Sequence, residues 1–158
     1  MRSTTKRNIF LLIIFLIIAS ALTTALLFNY RQTSPIPRDI SARVNFPLYY
    51  PSEFPSGFRL DTDSFSETNN VVTYTVSYES NKKLIFNIEA LPKKFDFDGF
   101  NSKGKKIRSS LGDAYVGSLG NKTVVSITSD KSWLLVGVPS PIDKPNLETM
   151  LQSLKESQ

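Results

Sequence analysis

Apolar and polar residues alternate with a period of two over much of the second half of the chain. Val72, Tyr74, Val76 and Tyr78 are separated by Thr73, Thr75 and Ser77, a spacing that turns one face of a strand toward a core. Leu84, Phe86, Ile88 and Ala90 repeat the pattern around Asn87 and Glu89, and Asn81-Lys82 reads as the turn of a hairpin. Phe58 to Asp63 predicts a strand before them, with Glu67-Thr68-Asn69-Asn70 as the turn. Further strands are expected at Asp113 to Leu119, Thr123 to Thr128 and Trp133 to Val138, with turns at Gly120-Asn121 and Asp130-Lys131. The Trp133 strand is apolar throughout and is expected to be central, ending at Pro139 to Pro141. A helix is expected from Asp143, a good N-cap residue, with Pro145 in its first turn, where a missing N–H costs little. Leu147, Met150, Leu151 and Leu154 follow at helical spacing, giving an apolar face to pack on the sheet.

A different pattern occupies the N-terminus. Residues 9–28 carry no charge, and only Ser20, Thr23 and Thr24 among them are polar. At about 1.5 Å per residue such a helix is about 30 Å long, the thickness of a bilayer hydrocarbon core. It is apolar all round, unlike a surface-lying amphipathic helix. Ile9 to Ile18 with Ala19-Ser20-Ala21 also fits a signal peptide cleaved near Ala21, but the apolar run continues through Leu22, Leu26, Leu27 and Phe28. An uncleaved anchor is the reading adopted. Arg2, Lys6 and Arg7 precede it without an acid and favour the N-terminus inside and the body outside.

The expected fold class is α+β: an N-terminal transmembrane helix, then a mainly antiparallel sheet of about six strands with a C-terminal helix packed on one face. The expected division is a basic tail over residues 1–8, the anchor over 9–28, a spacer over 29–45 and the extracytoplasmic domain over 46–158. Ser34-Pro35-Ile36-Pro37 marks the spacer as extended chain that lifts the domain off the membrane or lies along its surface. Phe46 to Asp61 is rich in Pro and aromatic residues, and its rings are expected to cover one end of the core.

Charge changes this picture little. The net charge is +5, but from Asn29 onward 16 basic residues face 14 acidic ones. A nucleic-acid-binding fold would carry its excess on the body, so no nucleic-acid partner is expected. The one basic concentration is Pro92 to Arg108, where Lys93, Lys94, Lys103, Lys105, Lys106 and Arg108 stand against Asp96 and Asp98. A loop or short helix is expected there, offering a surface for an anion or partner such as an envelope polymer or another envelope protein. The commoner reading of such a run is a solvated loop. Asp96-x-Asp98 lacks the further oxygen ligands of a calcium loop.

The chain contains neither His nor Cys. That excludes a disulfide, a Cys/His zinc site and His-based triads. Carboxylate pairs can hydrolyse glycosides, yet Glu53, Asp61, Glu79 and Glu89 are scattered. No cofactor, metal or enzyme activity is expected. Asn121-Lys122-Thr123 matches a glycosylation sequon, a weak signal.

The entry Tyr50-Pro51-x-x-Phe54-Pro55-x-Gly57-Phe58, the meander that follows it, the strand around Trp133 and the close at Leu151-Gln152-Ser153-Leu154 together resemble a family. It comprises small bacterial extracytoplasmic domains of unknown function found behind a single membrane helix, some of them in anti-sigma factors. Those domains are distantly similar to the lipoprotein-carrier and periplasmic stress-regulator fold. The resemblance implies a curved antiparallel sheet with helices on one face, and no catalytic residues. A cytoplasmic part of residues 1–8 is too short to bind a sigma factor, so no transcriptional role carries over. The expectation is a membrane-anchored, non-enzymatic binding or structural module of the cell envelope. The alternatives are an apolar-ligand or lipoprotein-carrier-like domain and a subunit of a secretion or pilus assembly.

Overall fold

The computed structural model describes Ser20 and residues 34–79, 82–120, 122–139 and 144–157. The expected anchor, with the topology residues Arg2, Lys6 and Arg7, falls outside these residues apart from Ser20. So do Asn81, Asn121 and the expected N-cap Asp143. Among the described residues no helix is long and apolar enough to cross a membrane.

Contacts divide the chain at Ser34, and Pro35–Gln158 forms a compact unit of its own. Its elements are α1 (Arg38–Ser41), β1 (Tyr49–Pro51), β2 (Phe58–Thr68), β3 (Val71–Tyr78), β4 (Lys82–Ala90), α2 (Phe97–Asn101), β5 (Lys105–Ser109), β6 (Gly112–Leu119), β7 (Lys122–Thr128), β8 (Ser132–Val138), α3 (Lys144–Gln152) and β9 (Leu154–Glu156). Seven strands form one antiparallel sheet in the order β2-β3-β4-β8-β7-β6-β5, and β1 pairs with β9 in a second, small sheet. The mainly antiparallel sheet with a C-terminal helix is as expected, with one strand more than anticipated. The strand containing Trp133 is central.

The inner face of the sheet is the core. Val72, Tyr74 and Val76 of β3 are fully buried beside Leu84, Phe86 and Ile88 of β4, Val136 of β8 and Val125 of β7. Tyr74 stacks on Phe86 with ring centroids 4.8 Å apart. Leu147, Met150 and Leu151 of α3, which lies against β5 and β1, are buried in the same core. Each contributes about 1.5–3 kcal/mol by leaving water.

Three differences from the sequence reading have local causes. Lys105 to Arg108 lies in β5, not in a loop, because Ile107 is buried on the core face and anchors an edge strand against β6. Leu154 is not the last apolar residue of the helix. The helix ends at Gln152, Ser153 turns back to bond Met150 O, and Leu154 enters β9. The folded unit begins at Pro35, within the segment expected as spacer: Ile36 and Ile40 are buried in the core, Ile40 from within α1.

Hairpin chemistry sets the register of β2 on β3. Asn69 and Asn70 both have positive φ, 53° and 60°, the two-residue turn whose twist matches the flanking strands. Glu67 Oε1 accepts from the Asn70 N–H at 2.9 Å. The segment before β2 is pinned by long-range side-chain bonds. Tyr74 Oη donates to Tyr49 O at 2.9 Å and Ser132 Oγ donates to Pro47 O at 2.7 Å. The end of α3 is tied down in the same way, with Ser110 N–H bonding Leu151 O and Ser110 Oγ bonding Leu154 O, so carbonyls left open by the helix end find donors.

Burial pushes the Tyr74 phenol well above its ordinary value. It raises Tyr78 too, against the opposing charge of Lys82. A phenol raised in the folded state stays protonated when its unfolded counterpart ionises. Its contribution is therefore full below about pH 10 and is lost as pH rises further. Urea titrations from pH 7 to 11 should show a stable plateau and then a decline. Tyr74→Phe should lower stability by about 1–2 kcal/mol on the plateau, through loss of the bond to Tyr49 O, and should flatten the alkaline decline. An unchanged plateau would contradict the role given to that bond.

Candidate functional site

The six basic residues singled out from sequence do not converge. Lys93 and Lys94 follow the end of β4, where the Leu91 N–H bonds Lys131 O. Lys103 and Lys105 stand four strands away, at the start of the edge strand β5. Strand alternation puts Lys105 on the side of Ile107, and Lys106 and Arg108 on the other. Lys106 is also engaged: its Nζ lies 2.6 Å from Asp113 Oδ2, and that hydrogen bond raises its pKa.

The chain between these lysines crosses the outer face of the sheet. Strand order places β8, β7 and β6 between β4 and β5, so the connection has to pass over them. Phe95 and Phe97 pack on Trp133 of β8 at centroid distances of 4.5 and 5.4 Å, and Phe100 lies over Gly117 of β6. Trp133 Nε1 donates to the buried Ser126 hydroxyl at 2.8 Å. Asp96 caps α2 by accepting from the Gly99 N–H at 2.8 Å, and a Cβ at Gly99 would collide with that carboxylate. Asp96 thus serves as the helix N-cap, and Asp98 lies in the first turn. Among the described residues no three His, Cys, Asp or Glu side chains gather to hold a metal.

The rest of the outer face is open only in part: Val124 is buried and Gly117 lies under Phe100, while Ile85 and Leu119 stand exposed. One row of cross-strand partners runs Asp61, Thr75, Ile85, Gly137, Val124, Gly117. The next row toward the β6–β7 turn carries Arg59, Ser77 and Lys83, with Lys122 opposite Leu119. Gly137 has no side chain to fill the space beside Ile85 and Lys122, and a groove of about 330 Å³ results, lined also by Lys83, Thr123 and Pro139. Ile85 is 44% exposed and Leu119 54%, the large apolar side chains that stand out most among the described residues. Lys83 Nζ lies 3.6 Å from Asp61 Oδ2, and Lys82 bonds Glu79 at 2.8 Å, which raises the Lys82 pKa.

Sequence reasoning missed this surface. The available signal was Ile85 itself, which stands where the alternation of β4 calls for a polar residue. The scattered carboxylates remain scattered. Asp61 accepts from Thr75 Oγ1 at 3.4 Å and Glu79 pairs with Lys82. Glu89 lies toward the other end of the sheet, opposite Trp133.

Comparison of the chain with family models, curated proteins and solved structures returns no match.

Exposure of Ile85 and Leu119 should contribute little to folding. Leu119→Gln is expected to change stability by no more than about 0.5 kcal/mol, whereas Leu134→Ala in the core should cost about 2–5 kcal/mol. Chemical denaturation of the two variants checks this. A large loss for Leu119→Gln would make that side chain part of the core.

Proposed function

We propose that this chain is a single-pass membrane-anchored binding module of the bacterial cell envelope, with its N-terminus inside and its folded unit outside. The observation that carries this reading is the uncharged run over residues 9–28, placed shortly before a compact folded unit that starts at Pro35. Arg2, Lys6 and Arg7 on the N-terminal flank support the orientation. The resemblance of the Tyr50-to-Phe58 entry and the closing segment to small extracytoplasmic domains points the same way.

Binding, without catalysis, suits the chemistry of the folded unit. The shifted ionisable groups have structural causes: burial for Tyr74 and Tyr78, exposed ion pairs for Lys82 and Lys106. A carrier of apolar ligands would need an open inner sheet face. Here the segment from Ile36 to Tyr49 and the residues Leu147, Met150 and Leu151 of α3 pack into one core with that face, and Tyr74, Leu84, Phe86 and Val136 are fully buried. That arrangement favours a module which works through its outer surface.

Cell fractionation tests the reading. The full chain should remain in the membrane pellet after carbonate extraction. Protease added to intact spheroplasts should digest the body and spare an N-terminal tag. A chain recovered from the cytosol would overturn the proposal. A mature chain beginning near residue 22 and found outside the cell would replace it with secretion.

A further inference from the structure

We propose that the end of the sheet bearing Ile85, Leu119, Lys83 and Lys122 docks on an anionic lipid surface. Strand pairing alone brings these residues together from β4, β6 and β7 on one face. Both prominent exposed apolar side chains lie here, Ile85 at 44% and Leu119 at 54%. Each is next to a lysine: Lys83 is two residues from Ile85 on the same strand face, and Lys122 is the cross-strand partner of Leu119. Arg59 continues the cationic row on β2.

Charge complementarity selects the partner. Asp61 is 3.6 Å from Lys83, and Lys122 forms no ion pair among the described residues. The row is therefore more basic than acidic. Ammonium groups at such a surface attract anionic headgroups, each by about 1 kcal/mol near the membrane. Apolar side chains between them gain by entering the interfacial layer. A hydrated anionic polymer would use the lysines and leave Ile85 and Leu119 in water, so the paired chemistry favours lipid over polymer. The groove beside Gly137 gives an acyl segment or headgroup room against Ile85 without moving the backbone.

The inference rests on the membrane-anchored reading, because the bilayer entered by residues 9–28 is then the nearest lipid surface. Its test separates the two. The chain has no Cys, so Leu119→Cys creates a unique site for an environment-sensitive dye, and Asp130→Cys gives a control near the other end of the sheet. The full chain is reconstituted in nanodiscs of phosphatidylcholine alone or with phosphatidylglycerol. Dye emission is read first, and carbonate extraction afterwards reports the anchor independently.

The expected result is a blue shift at position 119 only, only in discs with phosphatidylglycerol, and reversed by high salt. Lys83→Gln with Lys122→Gln should lower the docked-to-undocked ratio about 30-fold while circular dichroism shows an unchanged fold. Equal emission in the two lipids, or an equal shift at position 130, overturns the proposal. So does salt-sensitive binding of soluble polyphosphate that competes with the discs and leaves the dye at 119 in a polar environment.

Discussion

Burial of one face of a seven-stranded sheet is the constraint from which the rest of this structure follows. A sheet that turns Tyr74, Phe86, Leu84, Ile88 and Val136 to one side has to cover them, since that area in water would leave too little driving force to order the chain. Two segments far apart in sequence supply the cover. One runs from Ile36 through Tyr49, the other is α3 with Leu154. Their meeting in the β1–β9 pair joins the two. The hydrogen bonds from Tyr74 to Tyr49 O, from Ser132 to Pro47 O and from Ser110 to Leu154 O fix the cover in register with the sheet.

The same constraint explains how the outer face came to be divided. With the inner face committed to the core, the connection from β4 to β5 had to cross on the other side. Its phenylalanines shelter Trp133 and Gly117 there. The part it does not reach keeps Ile85 and Leu119 exposed, each with a lysine beside it. Exposed apolar side chains rimmed by charge are a common sign of an interaction surface, and here no element of the fold covers them.

Much of this architecture was legible in the sequence because period-two burial leaves a direct trace. Val72 to Tyr78 and Leu84 to Ala90 read as neighbouring strands and are paired along their length. The unbroken apolar run from Trp133 to Val138 read as central and is. What escaped notice depended on distance in space. Lys93 and Lys105 look close on paper, and the crossover separates them by four strands, from the end of β4 to the edge strand β5. Leu154 continues a helical spacing that the turn at Ser153 interrupts. Ile36 and Ile40 are isolated among prolines and polar residues, so nothing local marked them as core. The docking surface was hidden for the same reason, since Ile85, Leu119 and Lys122 become neighbours only through strand order.

The central claim is that a membrane-tethered unit meets lipid with the Ile85–Leu119 end of its sheet. Paramagnetic broadening of methyl signals by a headgroup-linked gadolinium chelate, with the full chain in phosphatidylglycerol-containing nanodiscs, measures this directly. The account predicts strong broadening at Ile85 and Leu119 and little at Val71, which lies toward the other end of β3. Broadening centred on Val71, or none at any of the three, would contradict it.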